Sequence, residues 1–70
     1  CYTEALDSLN NALVIKPGCY YAWNYRGMVL AKLERFDESL ASFDKSLKMK
    51  PNNANAWYGK ACCYALQHNS

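Results

Sequence analysis

Residues 23–51 read WNYRGMVLAKLERFDESLASFDKSLKMKP, and this stretch decides the fold because its landmark residues recur at one fixed offset. Trp57 lies 34 residues after Trp23, and Pro51 lies 34 residues after Pro17. The same offset joins further pairs of apolar residues: Tyr2 and Phe36, Leu6 and Leu40, Leu9 and Phe43, Leu13 and Leu47, Ala22 and Ala56, and Ala31 and Ala65. One period shared by so many pairs predicts an internal repeat.

The spacing inside the repeat is W-x3-G-x2-L followed by S-x3-F-x2-S-x4-P. Its positions are Trp23, Gly27, Leu30, Ser39, Phe43, Ser46 and Pro51. This pattern resembles the tetratricopeptide repeat, a helix-turn-helix unit of the same period. The resemblance covers essentially the whole chain. It implies an all-α fold in which antiparallel helix-turn-helix repeats, four helices in total, stack as a right-handed α-solenoid.

The resemblance also divides the chain into parts. Residues 1–19 match the second half of a repeat, residues 20–53 a complete repeat, and residues 54–70 the first half of another. Because the chain begins at Cys1 without a Met, inside a helix, we expect it to be a piece of a longer protein.

The chain departs from the family pattern in having Arg26 and Lys60 where Leu is usual, and Ser39 and Ser46 where Ala is usual. Long basic stems can cover apolar surface while their charges stay in water.

Apolar periodicity predicts helices over Tyr2–Ile15, Tyr20–Leu33, Phe36–Met49 and Ala54–Gln67, with 68–70 as a frayed tail. Gly18, which tolerates a positive φ, ends the first helix together with the proline before it. Asn53 is the expected N-cap of the fourth helix. Gly27 costs about 1 kcal/mol in a helix interior, so its presence predicts close packing against a large neighbour.

Placing residues 100° apart assigns the faces of each helix. On the second helix the predicted core face is Ala22, Trp23, Gly27, Val29, Leu30 and Leu33, with Arg26 in its middle. On the fourth helix it is Ala56, Trp57, Ala61, Cys63 and Tyr64. The third helix has a predicted polar face of Asp37, Glu38, Ser42, Asp44, Lys45 and Lys48.

The opposite faces of the second and fourth helices carry aromatic, amide and thioether side chains where a solvent-facing helix would carry charge. By resemblance, the first helix of each pair lines a concave groove that holds a peptide or a partner's helix. The predicted protein or peptide site is Tyr21, Asn24, Tyr25, Met28, Asn55 and Tyr58. The alternative is that these residues only pack against neighbouring helices. Asn24 is the strongest candidate, since a core disfavours an amide whose hydrogen bonds are not all made.

Two other kinds of ligand fit the sequence less well. One subclass of the family grips the C-terminal carboxylates of chaperone tails with Lys, Asn and Arg, but here only Asn24 and Lys32 lie on the groove face. Related helical repeats bind single-stranded nucleic acid. The basic residues Lys45, Lys48 and Lys50 lie away from the groove, and the net charge of +2 with a pI near 8.4 is mild, so nucleic acid is disfavoured.

The four cysteines do not predict a chemical site. Cys1, Cys19, Cys62 and Cys63 contain no C-x2-C pair, and His68 is the single histidine. Cys63 is expected to fill the core and Cys62 to be partly exposed. No catalytic residues, metal or cofactor are therefore predicted, and the chain is not expected to be an enzyme.

No apolar run reaches the ~20 residues that cross a bilayer, and no membrane association is expected. Reduced thiols favour a cytoplasmic location. Repeat arrays usually end in polar capping helices, whereas here Trp57, Tyr64 and Leu66 sit on the last helix. We therefore expect self-association through uncapped end helices, either end to end or by exchange of helices.

Overall fold

The computed structural model describes residues 2–68 and contains four α-helices: α1 (Tyr2–Ile15), α2 (Tyr20–Lys32), α3 (Phe36–Met49) and α4 (Ala54–His68). The predicted all-α fold is confirmed. Two helix ends differ from the prediction. Helix α2 ends one residue earlier, at Lys32. Helix α4 continues through His68, so the prediction that His68 belongs to a frayed tail is wrong. Residues 69 and 70, like Cys1, lie outside the described residues.

Helix α2 is central, because it contacts α1, α3 and α4. Short turns join consecutive helices, so neighbours run antiparallel. Leu6 of α1 packs with Val29 and Leu30 of α2 in one apolar cluster. Phe43 and Leu47 of α3 pack in a second cluster with Ala56 and Cys63 of α4. The core therefore consists of two apolar clusters, one between α1 and α2 and the other between α3 and α4.

The two tryptophans have related environments, as an internal repeat requires. The indole N–H of Trp23 donates to the Pro17 carbonyl at 2.8 Å, and that of Trp57 donates to the Pro51 carbonyl at 3.0 Å. Each ring also has a basic side chain above it, Arg26 at 5.7 Å from the first centroid and Lys60 at 5.4 Å from the second. Each indole thus ties the start of a helix to the turn before it.

Close packing around Gly27 is confirmed, and Gly59 has the same role. A Cβ on Gly27 would lie 2.8 Å from ring carbons of Phe43, and a Cβ on Gly59 would collide with the same ring. Phe43 is 1% exposed. Gly59 is buried against this ring and also lines the cavity between α2 and α4.

Three serines of α3 are fully buried. Ser39 Oγ donates to the Gly27 carbonyl, and Ser46 Oγ donates to the Tyr20 carbonyl and accepts from Asn53 Nδ2. Ser42 accepts from Arg26, so its assignment to the exposed polar face is wrong. Ser42 is fully buried, and the Arg26 guanidinium reaches it from α2.

The turn after α2 uses a left-handed residue. Glu34 has φ 62°, its N–H donates to the Ala31 carbonyl, and the Arg35 N–H donates to the Leu30 carbonyl. This is a Schellman ending, normally built on glycine. Gly18, in contrast, does not have a positive φ. The prediction that Gly18 ends the first helix through a left-handed conformation is therefore wrong.

The predicted core face of α4 is only partly right. Ala56 and Cys63 are fully buried, but Trp57 is 55% exposed, Tyr64 is 47% exposed and Ala61 is also exposed. Among the described residues no helix covers that side of α4. On α2, where α3 covers the equivalent side, Trp23 and Leu33 are half-buried and the other predicted apolar core residues are buried.

Candidate functional site

All six predicted site residues line one cavity of about 820 Å³ between α2 and α4, which we call the inner groove. Tyr21, Asn24, Tyr25 and Met28 come from successive turns of α2, three or four residues apart, and therefore share one side of the helix. Asn55 and Tyr58 face them from α4. The structure brings the six together, and their role in binding stays a prediction.

The walls of the inner groove are exposed aromatic rings. Tyr21 is 66% exposed, and Tyr25 and Tyr58 are similarly open. The ring of Tyr20 meets that of Tyr21 edge-on, with centroids 5.3 Å apart, which restrains the Tyr21 ring. Cys19 raises the pKa of Tyr21 above its ordinary 10.0, first through a side-chain hydrogen bond and then through charge.

Asn24 differs from the other five because it is buried, at 7% exposure, while still lining the groove. Its side-chain oxygen Oδ1 is buried and has no hydrogen-bond partner. An unpaired buried acceptor costs about 1–3 kcal/mol, so proteins seldom retain one without a reason. Asn24 lines the groove, but Oδ1 itself has almost no accessible surface there, so the side chain must rotate before this oxygen can accept from a ligand.

The floor of the groove was not predicted from the sequence. It includes Phe43, which reaches up from α3 beneath Gly59, together with Ala31 and Ala65. A helix wheel cannot report which side chain of a third helix will fill the gap between two glycines. Cys62 and Leu66 of α4 also line the groove.

Charge is sparse in the inner groove. Among its described lining residues Lys32 is the one charged side chain. Arg26 instead donates to Asn10 and Ser42, and Lys60 donates to Asp44 at 2.6 Å. The groove therefore suits an uncharged segment with at most one acidic group near Lys32.

Two of the three basic residues on the α3 side contact aromatic rings outside the inner groove. Lys45 lies 5.7 Å from the Trp23 ring centroid, and Lys50 lies 4.8 Å from the Tyr20 centroid and donates to its hydroxyl. Lys45, Lys48 and Lys50 do not line the inner groove. These contacts give Lys45 and Lys50 a packing role outside the inner groove.

Cys63 is fully buried with its Sγ 3.1 Å from Ser39 Oγ, and Cys62 is half-buried, as expected for both. Within residues 2–68, no three His, Cys, Asp or Glu side chains are grouped so that they could hold a metal ion. None of the helices in this range combines the length and apolar character needed to cross a bilayer.

Family models match the chain in three overlapping regions. A tetratricopeptide repeat model matches residues 20–53, and a second tetratricopeptide repeat model matches residues 42–70. A model of the protein prenyltransferase alpha subunit repeat matches residues 2–33. The two tetratricopeptide matches together run from the start of α2 to the C-terminus.

Two curated proteins are similar to the chain. Anaphase-promoting complex subunit 3 of Schizosaccharomyces pombe is 30% identical over 63 residues, which are 90% of this chain and 10% of that protein. Tetratricopeptide repeat protein 37 of Xenopus laevis is 29% identical over 63 residues, 90% of this chain and 4% of that protein. The chain thus spans a tenth or less of the length of these relatives. No solved structure matches the chain significantly.

Proposed function

This chain belongs to the tetratricopeptide repeat family, and on that premise we propose that it is a protein-interaction scaffold whose inner groove binds an extended peptide segment of a partner protein. The observation that carries the proposal is that Asn24 lines the groove while its Oδ1 is buried and unpaired, so that rotation of the side chain would offer a free acceptor to a ligand. The similarity to one relative, a subunit of the anaphase-promoting complex, supports a role in protein assembly.

An extended peptide suits this acceptor better than a helix does. Backbone N–H groups in a helix interior already donate to carbonyls of their own helix, whereas an extended segment keeps its N–H groups free. Asn24 can accept one of them. The tyrosines supply apolar area and hydroxyl donors at low entropic cost, and Met28 adapts to the side chain beside it.

The chemistry of the groove further limits the peptide. Exposed rings and few charges favour apolar or neutral side chains, and Lys32 at one end favours an acidic group there. Single-stranded nucleic acid fits less well, because the lysines that would meet phosphates lie outside the groove.

The experiment selects peptides from a displayed library of random linear sequences against the folded chain. The affinity of the selected peptides is then measured for the wild type, for Asn24→Ala and for Asn52→Ala, a matched control in an exposed turn. We expect Asn24→Ala to weaken binding by about tenfold or more, as the loss of a hydrogen bond from a desolvated site predicts. The control should bind as the wild type does.

Amide chemical shifts locate the bound peptide independently. Shifts on α2 and α4, centred on Asn24 and Tyr58, support the groove. Selection of no peptides, equal affinity for Asn24→Ala, or shifts confined to α1 and the outer side of α3 would each contradict the proposal.

A further inference from the structure

The inner groove has two halves of different chemistry. The half nearer the start of α2 and α4 carries tyrosine hydroxyls and asparagine amides. The half nearer their ends carries neither, and we call it the apolar half. Its members are Met28, Ala31, Cys62, Ala65 and Leu66. Lys32, the last residue of α2, lines the groove at the end of this half.

The apolar half offers open surface that a ligand can cover. Met28 and Leu66 are each about half exposed, and Ala65 is exposed as well. Ala31 and Ala65 end at Cβ, so the wall of the groove is low where each of them stands. Apolar surface of this kind gains free energy when an apolar group of a ligand displaces the water on it.

The floor beneath this surface is fixed. It is the ring of Phe43, which also lines the groove. Gly27 and Gly59 approach the ring so closely that neither could carry a Cβ without a shift of the ring. The wall, in contrast, contains Met28, whose three rotatable bonds let it adapt its shape. A fixed floor with one adaptable wall suits a single bulky side chain of variable outline.

We propose that the apolar half selects the partner peptide by one large apolar side chain of the leucine, methionine or phenylalanine class, and that Lys32 binds an acidic residue two positions away from it in the peptide. The inference rests on the proposed function, because it takes the ligand to be an extended peptide that lies along the inner groove. It adds which residues that peptide must contain and how they are spaced.

The class of side chain follows from what the apolar half can and cannot satisfy. A charged group placed there, away from Lys32, would lose its water and gain no partner. A side chain as small as alanine would leave most of the surface uncovered. Each methylene that the site buries adds up to about fourfold in affinity. Because the groove stays open on one side, we expect about tenfold in total between leucine and alanine.

The spacing follows from the dimensions of a helix and of an extended chain. Lys32 lies eight residues after Asn24, which is about 12 Å along the axis of α2, and Met28 lies halfway between them. An extended peptide advances about 3.3 Å per residue. A peptide residue held by Asn24 is therefore about two residues from the one beside Met28, and that one is about two residues from the one beside Lys32.

An interval of two also directs both side chains into the groove. Successive side chains of an extended segment point to opposite sides, and those two apart share one side. The large apolar residue and the acidic residue can therefore face the groove together while the residue between them faces solvent. The positive charge of Lys32 and the neutral surface beside it match this pair in charge.

The test begins with peptides selected from a displayed library of short random linear sequences against the wild-type chain. Their alignment should show one large apolar residue and, two positions from it, Asp or Glu. The tightest of these peptides is then made again with alanine in place of its large apolar residue. Fluorescence anisotropy measures the affinity of both peptides, and the wild type should bind the alanine form about tenfold more weakly.

Two variants fill or widen the apolar half. Ala65→Leu fills it from an exposed position, so the ratio between the two peptides should fall to about twofold or less. Ala41→Leu, the same change at an exposed position of α3 outside the groove, is the matched control and should keep the tenfold ratio. Met28→Ala widens the site and should shift a fresh selection towards tryptophan. It supplies the test if circular dichroism shows that Ala65→Leu loses helix content.

Lys32→Met tests the acidic residue separately. Selection against this variant should keep the large apolar residue and lose the preference for Asp or Glu. Peptides that bind and are weakened by Asn24→Ala, but contain no preferred apolar residue or keep the tenfold ratio on Ala65→Leu, would overturn this inference and leave the proposed function standing. A preference for acid that survives in Lys32→Met would also overturn it. Failure to select any peptide would remove both.

Discussion

The ring of Phe43 on α3 occupies the space that a side chain at Gly59 on α4 would need. The same ring lies against Gly27 on α2, so one aromatic side chain joins three helices. Because glycine is found on both sides of it, the ring cannot retreat from one helix without meeting the other. This arrangement sets how closely α2 and α4 approach α3, and with it the floor of the inner groove.

Gly59→Ala and Gly27→Ala should each lower the free energy of unfolding by about 1–3 kcal/mol, since overpacking costs more than the ~1 kcal/mol gained in helix propensity. Gly18→Ala is the control, because nothing lies within 4 Å of a Cβ there. Urea unfolding measures all three. A Gly59→Ala variant as stable as the wild type would mean that the Phe43 ring moves freely.

Glu34→Gly should raise the free energy of unfolding by about 0.5 kcal/mol. Relief of the left-handed conformation at φ 62° outweighs the extra freedom that glycine has in the unfolded chain. Glu34→Val, which is β-branched and poorly tolerated there, should lower it. Thermal melts of the pair test the turn, and similar melting temperatures for both variants would argue against this cause.

Ser46→Ala should lower the free energy of unfolding by about 1–3 kcal/mol, because it leaves the Nδ2 group of buried Asn53 without its acceptor. Ser39→Ala should change it by less than about 1 kcal/mol. The Gly27 carbonyl that Ser39 binds keeps its partner within α2. Chemical denaturation compares the two, and an equal loss would show that the Asn53 contact is not the cause.

Asn24→Leu should raise the free energy of unfolding by about 1–2 kcal/mol while it weakens peptide binding. The substitution removes the unpaired buried Oδ1 and keeps a side chain of four heavy atoms branched at Cγ. Asn55→Leu, at an exposed position of the same groove, should change stability by less than about 0.5 kcal/mol. A destabilised Asn24→Leu variant would assign the amide a structural role.

The ion pair of Lys60 and Asp44 should make stability depend on alkaline pH. The hydrogen bond to Asp44 raises the pKa of Lys60 above 10.5 in the folded chain. The stabilisation is therefore complete below pH 10.5 and is lost as the pH rises through the folded pKa. Asp44 is 61% exposed, so the effect is less than about 1 kcal/mol. Lys60→Met should flatten this part of the stability curve, and an unchanged curve would contradict the assignment.

The recurrence at 34 residues was enough to predict the helices, their order and the family, because the repeated Trp, Pro and apolar positions are set by the turns and by the packing between helices. Gly27 could be assigned a large neighbour on the same basis. The six groove residues could be grouped on two helices from their spacing alone, since residues three and four apart share a side.

Only the tertiary structure decided which side of each helix is covered. A helix wheel fixes the angles between Gly59, Ala61 and Tyr64, but burial depends on the neighbouring helices, and within residues 2–68 α4 contacts α3 and α2 only. For the same reason Ser42 is buried on α3, where Arg26 of α2 donates to it. The unpaired oxygen of Asn24 likewise follows from the positions of three helices together, which no single-helix pattern contains.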